Sequence, residues 1–234
     1  ISLSRNDGTP LVLRSTAFTV DTTINGNNKS FYDVLVRDPA GNETNITSTI
    51  GGGTLKGYLE MRDTVVVEIL DKLDRLAAGF VKEFNNIHQQ GFGLDGSTGN
   101  NFFNPLATDV DANANNSGST ALTATNGDPS NISVDKYEVT ITGADSFSLQ
   151  NLTRGASSGT YTFTAGSTFN LANGFAVTIS GTPTVGDKFK LSVSEGAARN
   201  ISLANGVLSN TSKISAGINS RTDGGNALNL VGLQ

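Results

Sequence analysis

The feature that most constrains this chain is a change in apolar spacing after Gly51-Gly52-Gly53. Over residues 54–90 the large apolar side chains recur in steps of three and four, which is the spacing of one helix face. Thr54 is placed to cap this helix and Gly91 to end it. At about 1.5 Å per residue the helix would be roughly 55 Å long. Its apolar positions are Val66, Ile69, Leu73, Leu76, Phe80, Phe84 and Ile87.

A helix of this length cannot cover its own apolar side chains. We call Ile69, Leu73, Leu76 and Phe80 the apolar stripe, and we predict that residues 201–234 or the strands before Gly51 cover it, since soluble monomers rarely expose such patches. Leu73→Asp should then unfold the chain. The alternative is two helices with a break near Gly79, because glycine disfavours a helix interior.

Short alternating segments on both sides of the helix predict strands. Residues 11–20 and 31–37 are followed by a turn at residues 38–42 and a return strand through Ile50. Five further segments, separated by Gly, Asn, Asp or Pro, predict a small antiparallel sandwich or barrel: residues 136–142, 147–153, 160–164, 175–180 and 188–193. Residues 109–118 are too polar to pack, and residues 201–217 fit either a short helix or a loop. The fold class is α+β, with a rod-like long-helix domain and an antiparallel β domain.

Charge and composition exclude several functions. Lys and Arg number 16 against 21 Asp and Glu, for a net charge of −5, and no basic cluster suits a nucleic acid. No apolar run is long enough for a membrane helix. With no Cys, disulfides and thiolate metal sites are ruled out.

Three short motifs resemble active-site signatures without their context. Residues 91–96 spell GxGxxG, but they follow a helix instead of opening one, so a pyrophosphate would meet the wrong helix end. Residues 155–159 spell GxSxG around Ser157, in an apparent hairpin and without a histidine nearby. Residues 109–113 begin like a calcium loop, but Ala114 and Thr120 stand where Gly and Glu are needed. We therefore predict no catalytic, cofactor-binding or metal-binding residues, no cofactor, and no enzymatic activity.

His88, the single histidine, lies on the last turn of the predicted helix. A cationic ring there would interact favourably with the helix dipole. We expect this structural role, because a lone histidine at the end of a helix more often interacts with the helix dipole than takes part in catalysis.

Three segments resemble the hook-associated protein 1 family of the bacterial flagellum. The first is GGTLKGYLEMRD at residues 52–63, continuing through LDRLA at 73–77 and FNNIHQQG at 84–91 to DGSTGNNFF at 95–103. The second includes FAVTISGTPTVGDKF at residues 175–189, and the third begins at GGNAL, residues 224–228. Asp223 and the two glycines after it stand where the family has a DNxNA-like phrase. His88 falls on the family's histidine.

The resemblance implies that the chain divides into four segments with different structural roles. Residues 1–50 would be a β segment packed on the rod domain, 51–105 its long helix, 106–200 the β domain, and 201–234 a return segment and the start of the C-terminal helix. Both ends look cut, so we expect a central fragment.

The resemblance also implies a structural component of the hook–filament junction ring. Its partners would be the flagellar hook protein, hook-associated protein 3 and other copies of itself, with no nucleic acid and no membrane. It would be extracellular, exported through the flagellar channel without a cleaved signal peptide, and the fragment itself would be monomeric. The alternative is a surface adhesin or surface-layer β module, which the Gly/Asn/Thr-rich strands also fit but the long helix does not.

Overall fold

The structure is a computed structural model that describes residues 2–4, 10–13 and 16–233. Contacts between residues divide the chain into two compact units, residues 1–70 and 71–234. One helical segment passes from the first unit into the second. The four-part division by role given above stays a proposal.

The first unit contains two small antiparallel sheets. Strands β1 (Ser2–Ser4), β2 (Pro10–Leu13) and β3 (Thr16–Ala17) form one. Strands β4 (Thr19–Ile24), β5 (Tyr32–Arg37) and β6 (Glu43–Asn45) form the other, in that order. The strand predicted at 31–37 is therefore confirmed as β5, while residues 14 and 15 of the predicted segment 11–20 lie outside the described residues.

The core of the first unit joins the central strand β5 to the start of the long helix. Val34 and Val36 of β5 pack with Ile46, Ile50 and Leu59. The predicted turn between β5 and β6 is held by the Asp38 carboxylate, which accepts hydrogen bonds from the backbone N–H groups of residues 40 and 42 at 2.9 and 2.8 Å.

The long helix is present but not uniform. It consists of α1 (Gly53–Glu60), one π-helical turn (Met61–Val65) and α2 (Val66–Gln90). Gly52, with extended backbone, occupies the N-cap position and makes no side-chain cap bond, so the prediction that Thr54 caps the helix is wrong. The alternative of a break near Gly79 is also wrong, because α2 continues through that residue.

The second unit contains the β domain, a pair of open antiparallel sheets. The order in the larger sheet is β11-β10-β9-β14-β7, and in the smaller sheet β12-β13-β8. The strands are β7 (Asp109–Ala112), β8 (Ala121–Asn126), β9 (Tyr137–Gly143), β10 (Ser146–Asn151), β11 (Ala156–Thr162), β12 (Thr168–Asn170), β13 (Phe175–Ser180) and β14 (Lys188–Ser192).

Both sheets contribute to one apolar core. Inward side chains of β9, β10 and β14 meet those of β8 and β13, as period-two alternation requires: Val139, Ile141, Phe147, Leu149, Phe189 and Leu191 on one side, and Leu122, Phe175, Val177 and Ile179 on the other. The architecture is a sandwich and not a closed barrel. The α+β fold class is confirmed.

The polar segment at residues 109–118 was predicted not to pack, and this is wrong for its first part. Asp109–Ala112 forms β7, which pairs with β14 through the backbone. The segment 201–217, left open between helix and loop, contains the short helix α4 (Asn205–Ser209). It follows α3 (Ala197–Asn200) and precedes α5 (Gly225–Val231), whose start lies where a new helix was predicted.

Candidate interaction surface

The apolar stripe of the long helix is exposed. Leu73, Leu76 and Phe80 are 50%, 71% and 43% accessible, and Ile69, one turn earlier, is 58% accessible. Their spacing of four, three and four residues places them on one helix face. The prediction that the stripe is covered internally is therefore wrong for the described residues, and so is the expectation that residues 201–234 lie along it.

A different face of the same helix is buried. Ala78, Val81, Asn85 and His88 also follow helical spacing, and Ala78 and Val81 are 0% and 2% accessible. The small side chains of Ala78 and Val81 permit close approach of the part of the chain that packs on this face. The polar side chains of Asn85 and His88 form hydrogen bonds. The residues buried on this helix are small ones that fit against the neighbouring chain and polar ones that form hydrogen bonds. The largest apolar side chains are not buried.

Polar contacts attach residues 71–75 of α2 to the β domain and to the loop that follows this domain. Asp71 Oδ1 lies 2.7 Å from Lys136 Nζ. The Asp74 carboxylate accepts from the backbone N–H groups of Gly196 and Ala198, at 3.0 and 2.9 Å. Arg75 donates to Asp135 at 3.2 Å. We call the set of Asp71, Asp74, Arg75, Asp135 and Lys136 the polar seam.

Asp135 is the buried anchor of the seam, at 2% accessible. Besides Arg75, it accepts from Asn151 Nδ2 at 2.9 Å and from Arg154 Nε at 2.6 Å. Burial alone would raise the pKa of Asp135, but these hydrogen bonds and the two guanidinium charges outweigh burial and lower it. The carboxylate is therefore held ionised.

Lys136 is the cationic anchor of the seam. Its ammonium also contacts Glu195 Oε2 at 2.5 Å. Burial alone would lower the pKa of Lys136, but the hydrogen bonds and charges of Asp71 and Glu195 outweigh burial and raise it. The seam thus consists of complementary ionised groups.

His88 closes the other end of the buried face. Its Nδ1 lies 2.7 Å from the carbonyl oxygen of Asn100, and its Nε2 accepts the backbone N–H of Ser215 at 2.9 Å. Burial lowers its pKa, although the bond to Asn100 acts in the opposite direction. A ring with these partners is neutral and protonated on Nδ1, so the expected cationic contact with the helix dipole is wrong. His88 instead forms hydrogen bonds and packs against the rings of Phe84 and Phe102.

Asn226 ties α5 to the end of the long helix. Its Nδ2 donates to the carbonyl oxygens of Ile87 and Ser215, at 3.1 and 2.7 Å. The backbone of Gly91 lies so close that a Cβ there would meet Asn226 Nδ2 at 2.3 Å and the Gly217 carbonyl oxygen at 2.8 Å. Glycine at position 91 is therefore required for this close approach.

This proximity gives a test by paired substitutions. Gly91→Ala is expected to lower the free energy of unfolding by about 1–3 kcal/mol, because the added methyl group overpacks the contact. Gly79→Ala is the matched control: its Cβ meets nothing within 4 Å, and it should raise stability by about 0.5–1 kcal/mol. Urea denaturation of both variants measures the difference. Equal effects would mean that Asn226 does not pack against Gly91.

The motifs that resemble active sites have other roles. The GxGxxG segment begins where α2 ends, with the Gly91 N–H bonded to the His88 carbonyl oxygen. Ser157 lies on β11, in the hairpin with β10. Asp109 and Asp111 belong to strand β7. Within the described ranges, no three acidic, His or Cys side chains are grouped to hold a metal, and no helix is both long and apolar enough to cross a membrane.

The seam residues were not identified from the sequence. Asp71, Asp74 and Arg75 fit a solvated helix face equally well. Their spacing was the signal that could have identified them. Asp71, Asp74, Arg75 and Ala78 lie on one face of the helix, and a small residue on the same face as charged residues indicates that another part of the chain packs closely there.

Comparisons with known proteins find similarity to hook-associated proteins of the bacterial flagellum. Residues 1–103 match the family model described as the flagellar hook-associated protein FlgK helical domain. Flagellar hook-associated protein 1 of Escherichia coli strain K12 is 33% identical over 153 residues, covering 65% of this chain and 27% of the relative. The Salmonella typhimurium protein of that name is 31% identical over 130 residues, covering 55% and 23%.

A solved structure agrees. The flagellar hook junction protein FlgK from Burkholderia pseudomallei matches with a TM-score of 0.70 and 26% identity, over 92% of this chain and 41% of that one. Over the matched residues the chain is similar to flagellar hook-associated protein 1 and to the FlgK helical domain. It spans about a quarter of the length of the curated relatives it matches.

Proposed function

We propose that this chain is the central part of a structural component that forms the junction ring between hook and filament of the bacterial flagellum. The observation that carries the proposal is the exposed apolar stripe on the long helix. An apolar face of this kind on a soluble protein marks a protein contact. In an assembled axial structure such a face would be covered.

The proposed occupant of the stripe is an amphipathic helix from a terminal region of the same subunit. The part matched in the Escherichia coli relative is 27% of that protein, so most of its length lies outside the match. A helix with leucine-like residues at steps of three and four would fit beside Leu73, Leu76 and Phe80.

The partners and location follow from the same proposal. The assembled protein would contact the hook protein, hook-associated protein 3 and other copies of itself, outside the cell, after export without a cleaved signal peptide. It would have no enzymatic activity, since Ser157 lies in a hairpin and both ring nitrogens of His88 are engaged. The monomeric state of the isolated chain stays a prediction. That prediction assumed that other residues of the chain cover the apolar stripe, and the described residues do not cover it.

The adhesin alternative is weaker. The β domain suits a surface module, but an adhesin gives no reason for a long helix with a free apolar face. The two functions predict different locations of the protein, so an experiment that locates the protein distinguishes between them.

Immunogold electron microscopy of flagella from the source bacterium tests the proposal. With an antibody raised against this chain, we expect gold particles confined to the boundary between hook and filament. Pre-immune serum is the control. Label spread along the filament or over the cell surface would contradict a junction role, and cell-surface label would favour the adhesin.

A further inference from the structure

Strand β4 forms one edge of the second sheet of the first unit. Within the described residues it pairs with β5 alone, and all six of its side chains are exposed. Val20 and Ile24 are 62% and 59% accessible, although both are large apolar residues. An exposed edge strand of this kind is a template on which another strand can pair.

The register of β4 on β5 shows which backbone groups are directed away from the sheet. Val34 of β5 lies directly opposite Thr22, and its carbonyl oxygen accepts the N–H of Ile46 on the side of β6. Backbone groups of an antiparallel strand point alternately toward and away from the neighbouring strand. The N–H and C=O groups of Val20, Thr22 and Ile24 therefore point out of the sheet edge.

This edge is self-complementary about Thr22. When β4 of a second copy lies antiparallel to it with Thr22 opposite Thr22, Val20 of each copy lies opposite Ile24 of the other. All three positions then exchange N–H···O=C bonds, about six in total. The apolar side chains meet as cross-strand pairs, which stabilises a sheet. Asp21 lies opposite Thr23, so no two carboxylates are directly opposed.

Asp21 obstructs this pairing. Its Oδ1 accepts the N–H of Thr22, the central outward donor of the edge, at 2.7 Å. Its Oδ2 lies 3.2 Å from Arg37 Nη2, and the same guanidinium group contacts Glu43 Oε1 at 2.5 Å. Side chains of β5 and β6 thus hold the carboxylate in place. A carbonyl oxygen of an incoming strand would have to displace this carboxylate and would meet its negative charge.

We propose that Asp21 guards a self-complementary edge: its carboxylate keeps β4 from pairing with β4 of a second copy, and the two strands join antiparallel about Thr22 once the carboxylate is removed. Such a pair has two-fold symmetry and closes on itself. A ring needs a different contact, repeated head to tail, so a two-fold pair would divert subunits from assembly. The inference rests on the edge and its register, and not on the proposed junction role.

Disulfide cross-linking tests the register directly, because the chain has no Cys. In the paired edge, Thr22→Cys places the thiols of the two copies opposite each other, with Cα atoms about 5.5 Å apart and within reach of a disulfide. Under mild oxidation we expect Thr22→Cys alone to stay mostly monomeric on non-reducing gels. With Asp21→Ala added, the disulfide-linked dimer should become the main species.

Three further variants make the result specific. Asp21→Ala with Thr23→Cys is the register control, because residue 23 would face residue 21 of the second copy and lie too far from its own counterpart for a disulfide. Glu43→Ala with Thr22→Cys is the charge control: it removes the same charge and another partner of Arg37, but it leaves the Thr22 N–H bonded to Asp21. Both controls should stay mostly monomeric. Asp21→Val with Thr22→Cys repeats the test with a strand-forming residue, and far-UV circular dichroism checks the fold of each variant.

Four outcomes would overturn the proposal. If Asp21→Ala and Asp21→Val give no more dimer than Thr22→Cys alone, the carboxylate does not guard the edge. If Thr22→Cys alone already gives mostly dimer, the edge is open in the native chain. Equal dimer in either control would mean that the copies do not pair in this register or respond only to the loss of charge. Loss of the fold in both Asp21 variants would mean that Asp21 holds the hairpin together instead of guarding its edge.

Discussion

Replacing Phe147 with alanine is expected to lower the free energy of unfolding of the β domain by about 3–5 kcal/mol. Phe147 is fully buried in the centre of the sandwich. Its ring stacks on Tyr161 at 5.2 Å and contacts Phe169 at 5.5 Å and Phe163 at 6.2 Å between centroids. Alanine removes all three contacts and leaves a cavity that rigid strands cannot close.

Urea denaturation followed by near-UV circular dichroism measures this loss, because Tyr161 reports on the same cluster. Leu152→Ala is the control: Leu152 is 40% accessible in the turn after β10, and its loss should change stability by no more than about 0.5 kcal/mol. A loss below about 1 kcal/mol for Phe147→Ala would mean that the two sheets do not share this core.

Most of the β domain could be predicted from the sequence because its strands bury one face. Phe147 and Leu149 alternate with polar residues along β10, and Val139 and Ile141 do so along β9. Where inward positions carry large apolar side chains, period-two alternation is visible in the sequence. Four of the five predicted segments overlap closely with β9, β10, β13 and β14, and the fifth overlaps the end of β11.

Strands with a single large apolar residue could not be predicted in this way. The edge strand β7 has Val110 as its single large apolar residue, and its backbone pairing with β14 holds it in place. Strand β8 reads ALTATN and contributes Leu122 to the core. These two strands are determined by backbone pairing with a neighbouring strand, and sequence periodicity does not report such pairing.

The buried face of the helix also could not be predicted, for a different reason. Hydrophobicity selects Leu73, Leu76 and Phe80, whereas the structure buries Ala78, Val81 and polar partners. Under the proposed function, the largest apolar side chains of the helix are those that contact the incoming terminal helix. A stripe read from sequence therefore identifies a packing surface without identifying what packs there.

Aspartate at position 81 is expected to unfold the second unit, whereas aspartate at position 73 is expected to be tolerated. Val81 is buried on the face turned toward the rest of its unit, and an unpaired carboxylate there should cost several kcal/mol. Leu73 is half exposed, so its aspartate stays hydrated and stability should change by about 0.5 kcal/mol or less. This reverses the sequence-based prediction for Leu73→Asp.

Thermal denaturation followed by far-UV circular dichroism compares the two variants directly. Both variants add the same charged side chain to one helix. Leu is a better helix former than Val, so the loss of helix propensity is larger at position 73 and cannot explain a lower melting temperature for Val81→Asp. In the full-length protein Leu73→Asp should also prevent assembly, because a charge in the apolar stripe would have to be buried against the incoming helix. If Leu73→Asp lowers the melting temperature as much as Val81→Asp, the stripe is an internal packing surface. The proposed contact with a terminal helix then loses its basis.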